Sequence, residues 1–169
     1  MIMQRAAVKV AGGILALGLL SPGCIKRDSF PAEPAIKYKS FAVFGDSASL
    51  TISFTDGDGD VGLDASDNTS PFNTGSPYYY NLFVDYDDLQ NDIWVPIVFA
   101  VPLKYRIPRI TPTGQNKALE GEIAVALRPW PLIPQPTGTV DTIRLSVRMY
   151  DRALHESNST VSPTFLITH

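Results

Sequence analysis

The chain has 169 residues with 14 basic and 17 acidic side chains, a formal charge of −3, two histidines and a single cysteine. An acidic balance argues against nucleic acid or anionic lipid as partner, since both require a basic face. Two histidines leave no His-rich zinc site, and one cysteine allows no internal disulfide.

Arg5 and Lys9 open the chain, followed by the apolar run Val10 to Leu20 and then Ser21-Pro22-Gly23-Cys24. That run is too short to span a bilayer as a mature helix. Its order (basic, apolar, small) is that of a secretory signal. The lone cysteine directly after it resembles a bacterial lipoprotein signal, in which the cysteine is lipidated and becomes the first mature residue. Ser21 stands where that family prefers Leu. The resemblance implies a signal peptide at 1–23, lipidation of Cys24, and anchoring to the membrane through acyl chains, which together hold far better than one chain. Removing Arg5 and Lys9 with the signal leaves 12 basic against 17 acidic residues, a formal charge of −5. Residues 24–35 are polar and proline-containing and read as a tether. Lys26, Arg27 and Asp28 beside the anchor point to outer-membrane sorting, with the exposed side open.

From residue 36 to 169 the patterning is β throughout. Leu50, Ile52 and Phe54 alternate with Ser49, Thr51 and Ser53. Tyr80, Leu82, Val84 and Tyr86 alternate with Asn81 and Asp85, and Phe83 interrupts the polar face. Ile123, Val125 and Leu127 share a face, and Ile143, Leu145, Val147 and Met149 are set against Thr142, Arg144, Ser146 and Arg148. Period two with one apolar face predicts half-buried strands. Further strands are expected at Ile36–Phe44, Ile93–Val101 and Thr164–Thr168, with a hairpin turn at Leu89-Gln90-Asn91-Asp92. Pro96, Pro102, Pro108 and Pro112 exclude helix and place their region at a sheet edge. Arg128 to Pro136 is a stiff loop. The expected fold is all-β: one antiparallel β-sandwich, immunoglobulin-like, of about seven strands.

Between strands lies Thr55-Asp56-Gly57-Asp58-Gly59-Asp60-Val61-Gly62-Leu63. Carboxylates this close repel one another unless a cation sits among them. With Asp56 at position one of a twelve-residue calcium loop, Asp58, Asp60, Gly62, Asp64 and Asp67 fall at positions three, five, seven, nine and twelve, and Leu63 takes the apolar eighth. Val61 replaces the sixth-position glycine, Asp67 replaces a bidentate Glu, and no helices flank the loop, so this is no EF-hand. A bare Asp-Gly turn is the alternative. In a seven-stranded sandwich the loops after the second and sixth strands share one end, which brings Asp151 close as a further oxygen ligand. Turn formation or pairing with Arg152 is the other reading of Asp151. The expected ligands of a structural Ca2+ are Asp56, Asp58, Asp60, Asp64, Asp67 and Asp151.

Enzymatic readings lack residues. His155 in a turn and His169 at the terminus read as surface side chains. No Gly-x-Ser-x-Gly elbow or phosphate-binding glycine loop occurs, and the Gly-Asp-Gly-Asp run would repel phosphate. Gly45-Asp46-Ser47 resembles the nucleophile block of certain lipases, but a strand pattern runs through it and no Asp-x-x-His follows. The carboxylates cluster too tightly for glycoside hydrolysis.

Ile143 to Ala153 followed by Ser157-Asn158 resembles the last hairpin of immunoglobulin-like or fibronectin-type-III-like modules. Together with the Asp-Gly-Asp-Gly-Asp loop it is similar to uncharacterised lipoproteins of the Bacteroidetes type. The resemblance implies a fold and a location, with no activity to carry over. Two functions follow as expectations. One is a lipid-anchored, non-enzymatic envelope module meeting an unknown envelope protein. The other is a carbohydrate-binding lipoprotein of a nutrient-uptake system, contacting glycan through Tyr79, Trp94 and Trp130. Burial of those three would favour the first.

Overall fold

The computed structural model describes residues 29–110, 112, 117–132 and 140–168. Cys24, the expected signal segment 1–23 and the start of the expected tether lie outside them, as does His169. In chain order the strands are β1 (Ala35–Phe44), β2 (Ser47–Asp56), β3 (Leu82–Gln90), β4 (Ile93–Ile97), β5 (Lys104–Tyr105), β6 (Leu119–Leu127), β7 (Val140–Met149), β8 (Thr160–Val161) and β9 (Phe165–Thr168). No helix occurs among the described residues.

One sheet runs β1-β2-β6 and the other is centred on β3 and β7, with every strand pairing antiparallel. β4 and then β5 occupy the outer side of β3, while β8 and β9 occupy the outer side of β7. Nine strands therefore fill seven positions, three facing four. This is the expected all-β antiparallel sandwich.

Burial follows the period-two pattern. β2 buries Ala48, Leu50, Ile52 and Phe54, and β7 buries Ile143, Leu145, Val147 and Met149, each without a break. Leu82, Val84 and Tyr86 stand opposite Met149, Val147 and Leu145 across the β3–β7 ladder. Each fully buried aliphatic side chain contributes about 1.5–3 kcal/mol of transfer free energy.

Local chemistry sets the connections. β3 and β4 are joined by Asn91 and Asp92, both at positive φ (49° and 63°), the two-residue turn whose twist matches a hairpin. Leu89 and Gln90 belong to the strand before it, so the turn is tighter than expected. Gly45-Asp46, the apparent nucleophile block, is the turn between β1 and β2. β4 ends at Ile97, short of the expected Val101. The chain bows outward there, exposing Val98 and Val101, and returns when the Val84 N–H donates to the Leu103 carbonyl (2.9 Å). Pro96 sits on β4 at the rim of the sheet, where a missing N–H is tolerated.

β1 carries a bulge at Lys39, between the pairs Tyr38–Ile52 and Ser40–Thr51. The extra residue switches parity, so Ile36 and Tyr38 face inward before it and Phe41 after it. The outer edge of β1 is held by the returning chain. Asn158 both donates to the Ile36 carbonyl (2.9 Å) and accepts from its N–H (2.8 Å), and Thr160 Oγ1 accepts from the Tyr38 N–H (3.0 Å).

The two ends of the sandwich differ. One gathers the start of β1 with the ends of β2 and β7, where the acidic residues lie. The other gathers the β1–β2 turn, Trp130, the start of β7 and the end of β9, and exposes Val43, Phe44, Val140 and Leu166.

Candidate metal centre

Asp56 is the last residue of β2 and keeps the inward parity of Leu50, Ile52 and Phe54. Alternation turns a carboxylate into the end of the core, where it is fully buried. Asp151 does the same on the facing sheet, one step past Met149 in the inward row of β7, and is 2 % exposed. Two apolar rows thus terminate in acids that face each other.

The loop after Asp56 is anchored on both sides. The Asp60 N–H donates to Asp56 Oδ2 (2.8 Å), and Val61 is fully buried among the core residues. Gly59 and Gly62 turn the chain at positive φ. Beyond them the Leu63 N–H donates to the Ile107 carbonyl (2.9 Å) and the Ile110 N–H to the Val61 carbonyl (3.0 Å). Asn81, also buried, braces the same segment: its side chain accepts from the Ile107 N–H (2.6 Å) and donates to the Ile107 carbonyl (3.3 Å). Sequence reading placed Asn81 on the polar face of its strand; it lies instead just ahead of β3 and is buried, because its amide bonds the Ile107 backbone.

Asp56, Asp58, Asp60 and Asp151 each bring a carboxylate oxygen within 4.8 Å of the others. Asp56 Oδ1 and Asp60 Oδ1 are buried and have no hydrogen-bond partner. Burial pushes the Asp56 carboxyl up to about 6, and the charges of Asp58, Asp60 and Asp151 push the same way. Asp60 is raised as well, by burial first and then by Asp151 and Asp58. Arg152 opposes this by its charge, but its guanidinium donates to the Val61 and Gly62 carbonyls (3.4 and 3.2 Å). Asp151 is held by His155, whose N–H and Nδ1 contact its two oxygens at 2.8 Å each. That bond raises the imidazole above its ordinary value. His155 is therefore tied to the cluster and is not a free surface side chain.

Asp64 and Asp67 lie elsewhere. Both pair with Arg109 (3.0 and 3.3 Å), and Asp67 Oδ2 accepts from the Asp64 N–H (2.8 Å). Arg106 donates to the carbonyls of Asp64, Asp67 and Tyr79 (2.9, 2.6 and 2.6 Å). The twelve-position register stops after position five. At Gly62 the chain crosses against Ile107–Pro108, which carries the later acids away from the cluster.

Nor do the three aromatics form a platform. Trp130 is buried edge-on to Phe41 (ring centroids 4.9 Å apart). Trp94 lies under the Arg144 guanidinium (4.4 Å), which also pairs with Asp87 (2.9 Å). Tyr79 lies under Arg106 (4.9 Å). A groove of about 500 Å3 does open on the outer face of the second sheet, between the bowed segment after β4 and β7. Tyr78, Phe83, Asp85, Lys104, Arg148 and Tyr150 line it, and the Arg148 guanidinium sits 4.6 Å above the Phe83 ring.

Fold and site define a class: an antiparallel β-sandwich bearing a four-aspartate cluster at one end. Comparison with known proteins adds nothing to that class: no family model, curated sequence or solved structure matches the chain.

Proposed function

We propose that this chain is a lipid-anchored cell-envelope protein whose sandwich is a non-enzymatic interaction or structural module, stabilised by a calcium ion among Asp56, Asp58, Asp60 and Asp151. The supporting observation is the pair of buried carboxylate oxygens without partners, Asp56 Oδ1 and Asp60 Oδ1, facing one another's charge. Buried ionised groups require a counter-charge or a proton, and a bound cation supplies the first. The donors are all hard oxygens, with neither nitrogen nor sulfur among them, which suits calcium or magnesium rather than zinc. Exposed Asp58 leaves the cluster open to water on one side, which suits the larger, more permissive ion.

Thermal denaturation tests this. Calcium at a hundredfold excess over its dissociation constant adds about 2.7 kcal/mol to the folded state, a rise in Tm of roughly 5–10 °C for a domain of this size. EDTA reverses the rise. Superimposable melting curves with calcium and with EDTA rule the ion out.

A second reading, glycan capture for uptake, is favoured by the groove at Tyr78, Phe83 and Tyr150. It joins aromatic faces to convergent polar groups, as saccharide sites do. Titration with neutral oligosaccharides should then show binding that Tyr150→Ala weakens at least tenfold. No heat with any of them leaves the first reading alone.

A further inference from the structure

We propose that the cation loop is also the seat of the incoming chain: an ion held by Asp56 and Asp58 fixes Gly57 between them, and Gly57 holds Pro31, so loading the site sets how tightly Phe30 and Pro31 are held against the sandwich. This rests on the cation reading and adds a consequence to it.

The contact is specific. The Gly57 N–H donates to the Pro31 carbonyl (2.8 Å), and a Cβ at position 57 would collide with the carbonyl oxygens of both Phe30 and Pro31. Only glycine lets the chain lie this close. The residue that receives the incoming segment is flanked in sequence by two of the four clustered acids, so an ion that fixes both side chains also restrains the backbone between them. Just beyond, Asn158 and Thr160 clip Ile36 and Tyr38. Residues 30–38 are thus held at Pro31 by Gly57 and at Ile36 and Tyr38 by Asn158 and Thr160.

Without an ion, four like charges within 4.8 Å are relieved most easily by moving the exposed one, Asp58, outward. Asp58 is covalently next to Gly57, so losing the ion removes a restraint on the backbone around Gly57 and loosens its hold on Pro31. With an ion bound, Asp58 is drawn inward and the seat closes.

The experiment is limited elastase digestion of the full-length protein in detergent, following the cut at Ala32–Glu33. Its rate is normalised to a cut inside the sandwich, so that global stabilisation cancels. Calcium should slow the cut at least tenfold relative to EDTA. In Gly57→Ala the cut should be fast with or without calcium, while calcium still raises Tm. Amide exchange at Gly57 in the wild-type protein carries the test alone if that variant does not fold, and calcium should slow it at least tenfold. If calcium raises Tm but changes neither the cut nor the exchange, the seat is overturned and the cation site stands. If calcium does not raise Tm, the cation reading falls and takes the seat with it.

Discussion

Asp56 carries a liability that a neutral side chain of the same shape would remove. In Asp56→Asn the oxygen can still accept from Asp60, and the new amide donates toward the neighbouring carboxylates. With the folded carboxyl at about 6 against 3.8 unfolded, the ionised wild-type residue costs up to about 3 kcal/mol in the metal-free protein at neutral pH. The sign follows from proton counts. Between about pH 4 and pH 6 the folded state keeps a proton that the unfolded chain has released, so stability falls as pH rises through that window and levels off above it. In EDTA, Asp56→Asn should therefore be more stable than wild type at pH 7, by roughly 1–3 kcal/mol, and the gap should close toward pH 4. Chemical denaturation at both pH values reads it. In calcium the order reverses, because the variant has lost a ligand. Asp64→Asn and Asp67→Asn provide the contrast: each should leave the calcium-induced rise in Tm unchanged, since both acids belong to Arg109.

At the level of elements, β1 depends most on a side chain far away in sequence. Asn158 satisfies both backbone groups of Ile36 along an otherwise open edge. Asn158→Ala should cost about 2 kcal/mol, one increment for each lost hydrogen bond, measured by urea denaturation. β2 and β7 could be read directly from the amino-acid sequence because each alternates over a full strand length with no interruption. β5 and β8 could not, since two residues have no period. β1 was legible as a strand, but its change of parity at Lys39 was not, because a bulge is a property of pairing with β2. Phe83, which seemed to break the polar face of its strand, keeps that position by lying beneath the cationic ends of Arg148 and Lys104.

For the molecule as a whole, the acidic end was half legible. Strand parity and loop adjacency bring Asp56 and Asp151 together, as the pattern of a seven-stranded sandwich implies. Matching Asp64 and Asp67 to a calcium-loop register failed, because spacing along the chain carries no information about where Ile107–Pro108 will pass. The loop glycines are likewise explained by what lies against them: Gly57 by Pro31, and Gly62 by Pro108. The proposed anchor has its own test. Labelled palmitate should enter the wild-type protein in a bacterial host and not Cys24→Ser, and label in both would place the acylation elsewhere.

The chain enters at the acidic end, beside Gly57, and strands of ten residues at about 3.3 Å each carry the opposite end some 30 Å away. Under the proposed anchoring, the end farthest from the tether is the one presented first. It exposes Val43, Phe44 and Leu166, greasy where the other end is charged. A partner arriving from the far side meets those three apolar side chains together with the exposed turn residue Asp46.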